Sequence, residues 1–203
     1  MIRHAYHVYA GGVAWRDAVQ DHLDALRHGG LADELLSIHL GLVGPAPARH
    51  EARDLISEVL PVTIIGEADE GWEQVTLSGV RELARYAWAG DQILYAHTKA
   101  ASDPVPINVA WRKSMTYWNV IRWREAAGHL SDADTAGCHW IVDGHRFFGG
   151  NYWWANADYL ATLPPLDYAS RFMAEVWIGE NPAVVPFDMA PGWPGFERFT
   201  TQW

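Results

Sequence analysis

Three short stretches carry residue types that can do chemistry at the ends of secondary-structure elements. The first is His97-Thr98-Lys99, which follows the apolar run at residues 93–96. Two residues apart, the imidazole and the ammonium point the same way if the chain stays extended. Lys99 can neutralise a diphosphate, and His97 can hold that phosphate or a divalent metal ion. The second is Glu175, between Ala174 and Val176 with Trp177 nearby. Apolar surroundings raise a carboxyl pKa, which suits a general base. The competing role is an ion pair with Arg171, four residues earlier. The third runs from His145 to Tyr159, H-R-F-F-G-G-N-Y-W-W-A-N-A-D-Y. Gly149-Gly150 can turn sharply and lie close to another group. Asn151 adds two donors and two acceptors, and Tyr152, Trp153 and Trp154 follow. A glycine turn, an amide and an aromatic run describe a sugar site, because pyranose C–H faces pack on indole while hydroxyls need fixed polar partners. The same residues also fit a packed strand–helix corner.

Composition narrows the classes. The chain has 203 residues and a formal net charge of −10, which argues against a broad nucleic-acid footprint. A local basic cluster remains at Arg112, Lys113, Arg122 and Arg124. The 12 tryptophans, eight of them between Trp88 and Trp177, suggest aromatic walls around a ligand as much as a core. One cysteine, Cys138, excludes an internal disulfide framework, fits a reducing cytoplasm and reads as a small buried apolar residue. The histidines form neither an H-E-x-x-H pair nor a Cys/His knuckle, against a structural zinc site. No apolar run approaches the roughly 18 residues of a membrane span. The N-terminus does not read as a leader, so a cytoplasmic protein is expected.

The elements that must position these groups follow from periodicity. Residues 4–9 read as a strand ending in Ala10-Gly11-Gly12, and residues 13–27 as a helix with Val13, Val19, Leu23 and Leu26 on its apolar face. Strands at 35–43, 62–65, 93–96 and 137–142 alternate with helices at 51–60, 74–88 and a long helical stretch at 105–130. Residues 44–50 read as loop and 131–136 as a turn. A helix starts at residue 155, with Asn156 as its N-cap, and another covers 171–179. The prediction is one α/β domain over 1–203 with a mainly parallel sheet and helices on both faces. It comprises a nucleotide-binding half (1–100), a sugar and acceptor half (101–180) and a surface-wrapping tail (181–203). Ligands of such sheets bind outside the carboxyl ends of the strands. Three ends here carry polar or glycine residues: Ala10-Gly11-Gly12 as a backbone cradle for a donor, His97-Thr98-Lys99, and Gly149-Gly150-Asn151. Asp69, Glu70, Glu73 and Asp103 are the other carboxylates on predicted loops or element ends. No clean Asp-x-Asp stands at a strand end.

The segments W-E-Q-V-T-L (72–77), I-L-Y-A-H-T-K-A (93–100), W-R-K-S-M-T-Y-W (111–118) and F-F-G-G-N-Y-W-W-A-N-A-D-Y-L (147–160), followed by A-E-V-W-I (174–178), carry a resemblance. Their types and order resemble a glycosyltransferase-like group of bacteria, algae and viruses with Y-x-H-T-K-G, W-R-x-x-M and S-G-N-F-W-W-A segments. Ala100 stands where that group tends to have Gly, and Gly149 where it has Ser. The resemblance implies a GT-A-like, Rossmann-like fold and a nucleotide-sugar donor, a UDP-sugar first, with Mn or Mg as possible partner. It makes His97 and Lys99 donor contacts, His97 also the candidate metal ligand, and Arg112 a phosphate or acceptor contact. Gly150, Asn151, Trp153 and Trp154 would frame the sugar, with Gly149 and Trp177 beside them. Glu175 would contact the acceptor hydroxyl and, in an inverting reaction, deprotonate it. The acceptor would be a glycan, a protein or a modified DNA base. A non-catalytic carbohydrate-binding protein using the tryptophans is the alternative. A glycoside hydrolase would need a second facing carboxylate.

Overall fold

A computed structural model describes residues 1–191. Nine strands and seven α-helices are seen among them. The opening unit is β1 (Ile2–Tyr9), α1 (Trp15–His28), β2 (Ile38–Val43), α2 (Ala46–Ser57), β3 (Val62–Ala68), α3 (Gln74–Arg85) and β4 (Gln92–His97). Then come α4 (Pro106–Thr116), a π-helical turn (Tyr117–Ile121), α5 (Trp123–His129) and β5 (Thr135–Gly137). The chain closes with the ribbon β6 (Trp140–Asp143) and β7 (His145–Phe148), β8 (Trp153–Asn156), α6 (Ala157–Thr162), α7 (Phe172–Val176) and β9 (Pro186–Asp188). The main sheet has the order β3-β2-β1-β4-β8-β5-β9. Pairing is parallel throughout except where β8 runs antiparallel between β4 and β5. The predicted α/β class with a mainly parallel sheet is therefore the observed one.

Strand alternation divides the core between the faces. Tyr6, Val8, Leu40, Leu94 and Trp154 pack with α1, α2, α4 and α5. Ala5, Ile93, Tyr95, Trp153 and Phe148 pack with α3, α6 and α7. Helix α3 lies unusually close to the sheet. A Cβ on Gly41 of β2 would sit 1.8 Å from Thr76 Oγ1, and one on Gly66 of β3 would sit 2.3 Å from the Val75 carbonyl oxygen. That approach brings the start of α3 to the carboxyl end of β1. Gly41→Ala is expected to push Thr76 away and cost about 1–3 kcal/mol, read as a drop in the denaturation midpoint.

Several predicted boundaries move for local reasons. Residues 46–50, read as loop from their prolines and glycine, are the first turn of α2, where proline needs no N–H partner. The stretch 105–130 is interrupted by the π turn. The strand predicted at 137–142 breaks at His139, whose φ of 65° ends β5 and re-aims β6. Residues 153–156 are strand, and the helix starts at Ala157. Asn156 occupies the N-cap position, but its amide donates to Leu130 and Ala133 carbonyls instead of capping. Val13 is 82% exposed and outside α1. The tail does more than cover the surface: β9 pairs with β5 as an edge strand, while residues 192–203 lie outside the described ones. No described helix is long and apolar enough to cross a membrane.

Candidate functional site

The site grows from the register of two neighbouring strands. β1 and β4 pair so that His7 stands opposite His97 at their carboxyl ends. His7 Nδ1 lies 2.7 Å from Thr76 Oγ1 on α3. Glu73 immediately precedes α3 and is 4% exposed. Its Oε2 accepts from Asn151 Nδ2 at 2.7 Å and from the Tyr95 hydroxyl at 3.0 Å. Its Oε1 is 3.8 Å from His97 Nδ1. His97 Nε2 bonds the Gly150 carbonyl at 2.7 Å, and the Tyr152 hydroxyl donates to the His97 carbonyl. Above this floor opens a cleft of about 430 Å3, walled by Tyr9, Trp72, Lys99, Asp103, Asn108 and Arg171.

Lys99 is held over the Trp111 ring with Nζ 3.7 Å from the centroid. The next residue, Ala100, has φ 67°, a left-handed conformation that glycine adopts more readily. Gly150 has φ 85°, and a Cβ there would meet Met115 Sδ at 2.5 Å. Asn151 is also left-handed, with φ 59°. Trp153 Nε1 donates to Asn151 Oδ1 at 2.8 Å, so the amide must aim Nδ2 at Glu73.

Burial sets the charge states. It pushes His7 down to about 4 and lowers His97 as well, despite the opposing pull of Glu73 on each. Both rings are neutral near neutrality. Burial pushes the Glu73 carboxyl up, but His97, His7, the Asn151 amide and Arg171 outweigh it and hold Glu73 below its ordinary value. Lys99 is lowered by burial, with Glu175 and Glu73 opposing. Glu175 is raised by burial and by Glu73, against Lys99, Arg171 and the Gly150 backbone. Among the described residues no ion pair joins Glu175 to Arg171.

The predicted site residues divide accordingly. His97 and Lys99 line the cleft; Glu175 does not line it but feels the charges of Lys99, Glu73 and Arg171, and Gly150 and Asn151 hold His97 and Glu73 from behind. Gly149 is buried and donates to the His139 carbonyl at 2.9 Å. Ala10, Gly11 and Gly12 do not line the cleft: Gly12 is pressed on Ala101, where a Cβ would come within 2.3 Å of the carbonyl oxygen. That turn shapes the Lys99 loop from behind. Arg112 is no phosphate contact. It is 4% exposed and bonds Asp21 Oδ2 at 2.5 Å and the Lys99 carbonyl at 3.1 Å. Trp153, Trp154 and Trp177 have no accessible face for a sugar, at 0%, 0% and 2% exposure. As strand neighbours, Trp153 and Trp154 also point to opposite faces of the sheet. Among the described residues no group of three or more His, Cys, Asp or Glu could hold a metal ion, so His97 stands without companion ligands of that kind. Sequence reasoning passed over His7, Tyr9, Trp72 and Arg171 as cleft residues. The exposed indole at the rim belongs to Trp72, 47% accessible, and the signal for it was Gly71 before it with Glu73 after.

Fold and cleft together define a Rossmann-type α/β protein with a cleft outside its strand ends. The chain belongs to the DUF8361 family, described as a domain of unknown function, whose profile matches residues 6–170. No curated protein matches it. Among solved structures, HddC from Yersinia pseudotuberculosis is similar at 10% identity and TM-score 0.52, over 94% of this chain and 90% of that one. Rv0371c from Mycobacterium tuberculosis H37Rv, in complex with manganese, aligns at 14% identity and TM-score 0.49, over 93% and 88%. The 4-diphosphocytidyl-2C-methyl-D-erythritol synthase of Anaerococcus prevotii aligns at 10% identity and TM-score 0.44, over 95% and 90%. At such identity the likeness to HddC establishes the fold alone.

Proposed function

We propose that the protein is a glycosyltransferase that moves a sugar from a nucleotide-sugar donor, a UDP-sugar first, to a hydroxyl acceptor. The observation that carries the reading is the cleft at the ends of β1 and β4, where Lys99 and Arg171 stand beside the exposed Trp72 indole. The two cations stabilise the leaving nucleoside diphosphate as the bond from the anomeric carbon to its oxygen breaks. The indole stacks on a base or sugar face. Glu175 takes the proton of the acceptor hydroxyl while that oxygen bonds the anomeric carbon, which inverts the centre. The acceptor is a glycan, a protein or a modified DNA base, and the acidic chain favours the first. A non-catalytic lectin built on the tryptophan run loses its basis, because those rings are buried.

A thermal-shift panel of UDP-, GDP-, dTDP- and CMP-sugars, with and without manganese, tests the donor site. One nucleotide class is expected to raise the midpoint and to release free nucleotide on incubation. A panel with no response sinks the proposal. Pyrophosphate release from a nucleoside triphosphate and a sugar phosphate would replace it with nucleotidyl transfer. Trp72→Ala is expected to weaken donor binding by about 0.5–1.5 kcal/mol with an unchanged melting midpoint, measured by calorimetric titration.

A further inference from the structure

The cleft floor holds two acceptors that face each other. A carbonyl oxygen only accepts, so the Gly150 bond fixes the proton of His97 on Nε2. In the neutral ring Nδ1 is then a bare lone pair. Both hydrogen bonds that Glu73 receives from side chains go to Oε2. Oε1 receives none among the described residues. The two acceptors are 3.8 Å apart, too far for a hydrogen bond and unable to form one without a proton between them. Their residues are 5% and 4% exposed, and what exposure they have opens into the cleft. Both residues line the cleft, so a ligand entering it can offer the pair the donors that the protein does not supply.

We propose that His97 Nδ1 and Glu73 Oε1 form a paired acceptor for a vicinal diol of the ligand, one hydroxyl donating to each. Adjacent hydroxyls on a ribofuranose or pyranose ring can diverge to two such points, whereas a lone hydroxyl has one proton and serves only one. An ammonium or guanidinium ligand is disfavoured because Lys99 and Arg171 share the cleft. The proposal deepens the nucleotide-sugar reading and rests on it for the source of the diol, either the ribose of the nucleotide or the transferred sugar.

Glu73→Gln isolates the effect. The glutamine oxygen keeps the bonds from Asn151 and Tyr95, and its amide nitrogen, which only donates, replaces the acceptor Oε1. The variant keeps both internal bonds of Glu73 and loses one of the two acceptors offered to a diol. Calorimetric titration of wild type and variant uses UDP, 2′-deoxy-UDP and methyl glucopyranoside as probes. With a ribose diol, wild type binds UDP about tenfold more tightly than 2′-deoxy-UDP, and Glu73→Gln abolishes the difference. With a sugar diol, wild type treats the two nucleotides alike, and Glu73→Gln weakens methyl glucopyranoside instead. If only the glucopyranoside binds, and its binding depends on Glu73, the diol site stands and the nucleotide-sugar reading falls. Equal binding of every probe by both proteins overturns the diol site. So does a midpoint raised by manganese alone and lost in the variant, which would make the pair a cation site. Should Glu73→Gln not fold, His97→Asn is titrated the same way.

Discussion

Replacing Glu175 with glutamine is expected to cut turnover by about 10²–10⁴-fold and to leave donor affinity unchanged. Glutamine is isosteric but cannot accept the acceptor's proton. The pH profile should carry the same signature. Glu175 must be ionised to act, and burial and Glu73 raise its pKa, so the rate of the wild type falls on the acid side at a pH above that of an ordinary carboxyl. Lys99 is lowered by burial and must be charged to hold a diphosphate, so the alkaline limb also moves inward. Stability gives an independent sign. A carboxyl whose folded pKa is raised binds more protons folded than unfolded. Stability is thus lost as pH rises from the ordinary carboxyl value through the raised one. Glu175→Gln removes that loss, so its melting midpoint at neutral pH should equal or exceed that of the wild type. Unchanged turnover would remove Glu175 from the mechanism whatever the midpoint does.

What the sequence made legible were features whose cause is local. The alternation through Tyr9 and the apolar run before His97 announce strands, and the polar residues after residue 96 mark a strand end, so His97 and Lys99 could be found by reading forward. Glu73 was visible only as a turn carboxylate. Its place beside His97 depends on α3 settling against Gly41 and Gly66, which no local pattern encodes. Arg112 was misread for a similar reason: its partner Asp21 is 91 positions away, and the pair is internal. The aromatic run failed differently. After a glycine turn, Trp153 and Trp154 read as one platform, and residue 155 as the start of a helix. Assigned instead to a strand, the same residues alternate, and alternation alone forbids two adjacent rings from framing one ligand. The error in secondary structure became an error in function. Trp72, marked only by Gly71 before it and Glu73 after, lay outside the aromatic run and is the indole the cleft exposes.

The second large effect separates core from platform. Trp154→Ala is expected to cost about 3–5 kcal/mol, a large share of the roughly 5–15 kcal/mol that holds a typical domain folded. Trp154 is fully buried, stacks on Trp123 with centroids 6.5 Å apart, and donates from Nε1 to the Asn119 carbonyl at 2.8 Å. The alanine variant loses the ring's packing and leaves that carbonyl in the π turn without its indole donor. Trp154→Phe keeps most of the packing and forfeits the N–H, so it should lose about 1 kcal/mol for the bond plus a smaller packing deficit. The discriminating measurement pairs denaturation with ligand titration on the phenylalanine variant. Ligand affinity is expected to match wild type while the midpoint falls. A ring that held a sugar would give the reverse, with the midpoint retained and affinity lost. Because Trp154 packs on the α5 face of the sheet and Glu73 stands at the start of α3 on the other, the stability and binding readouts should move independently.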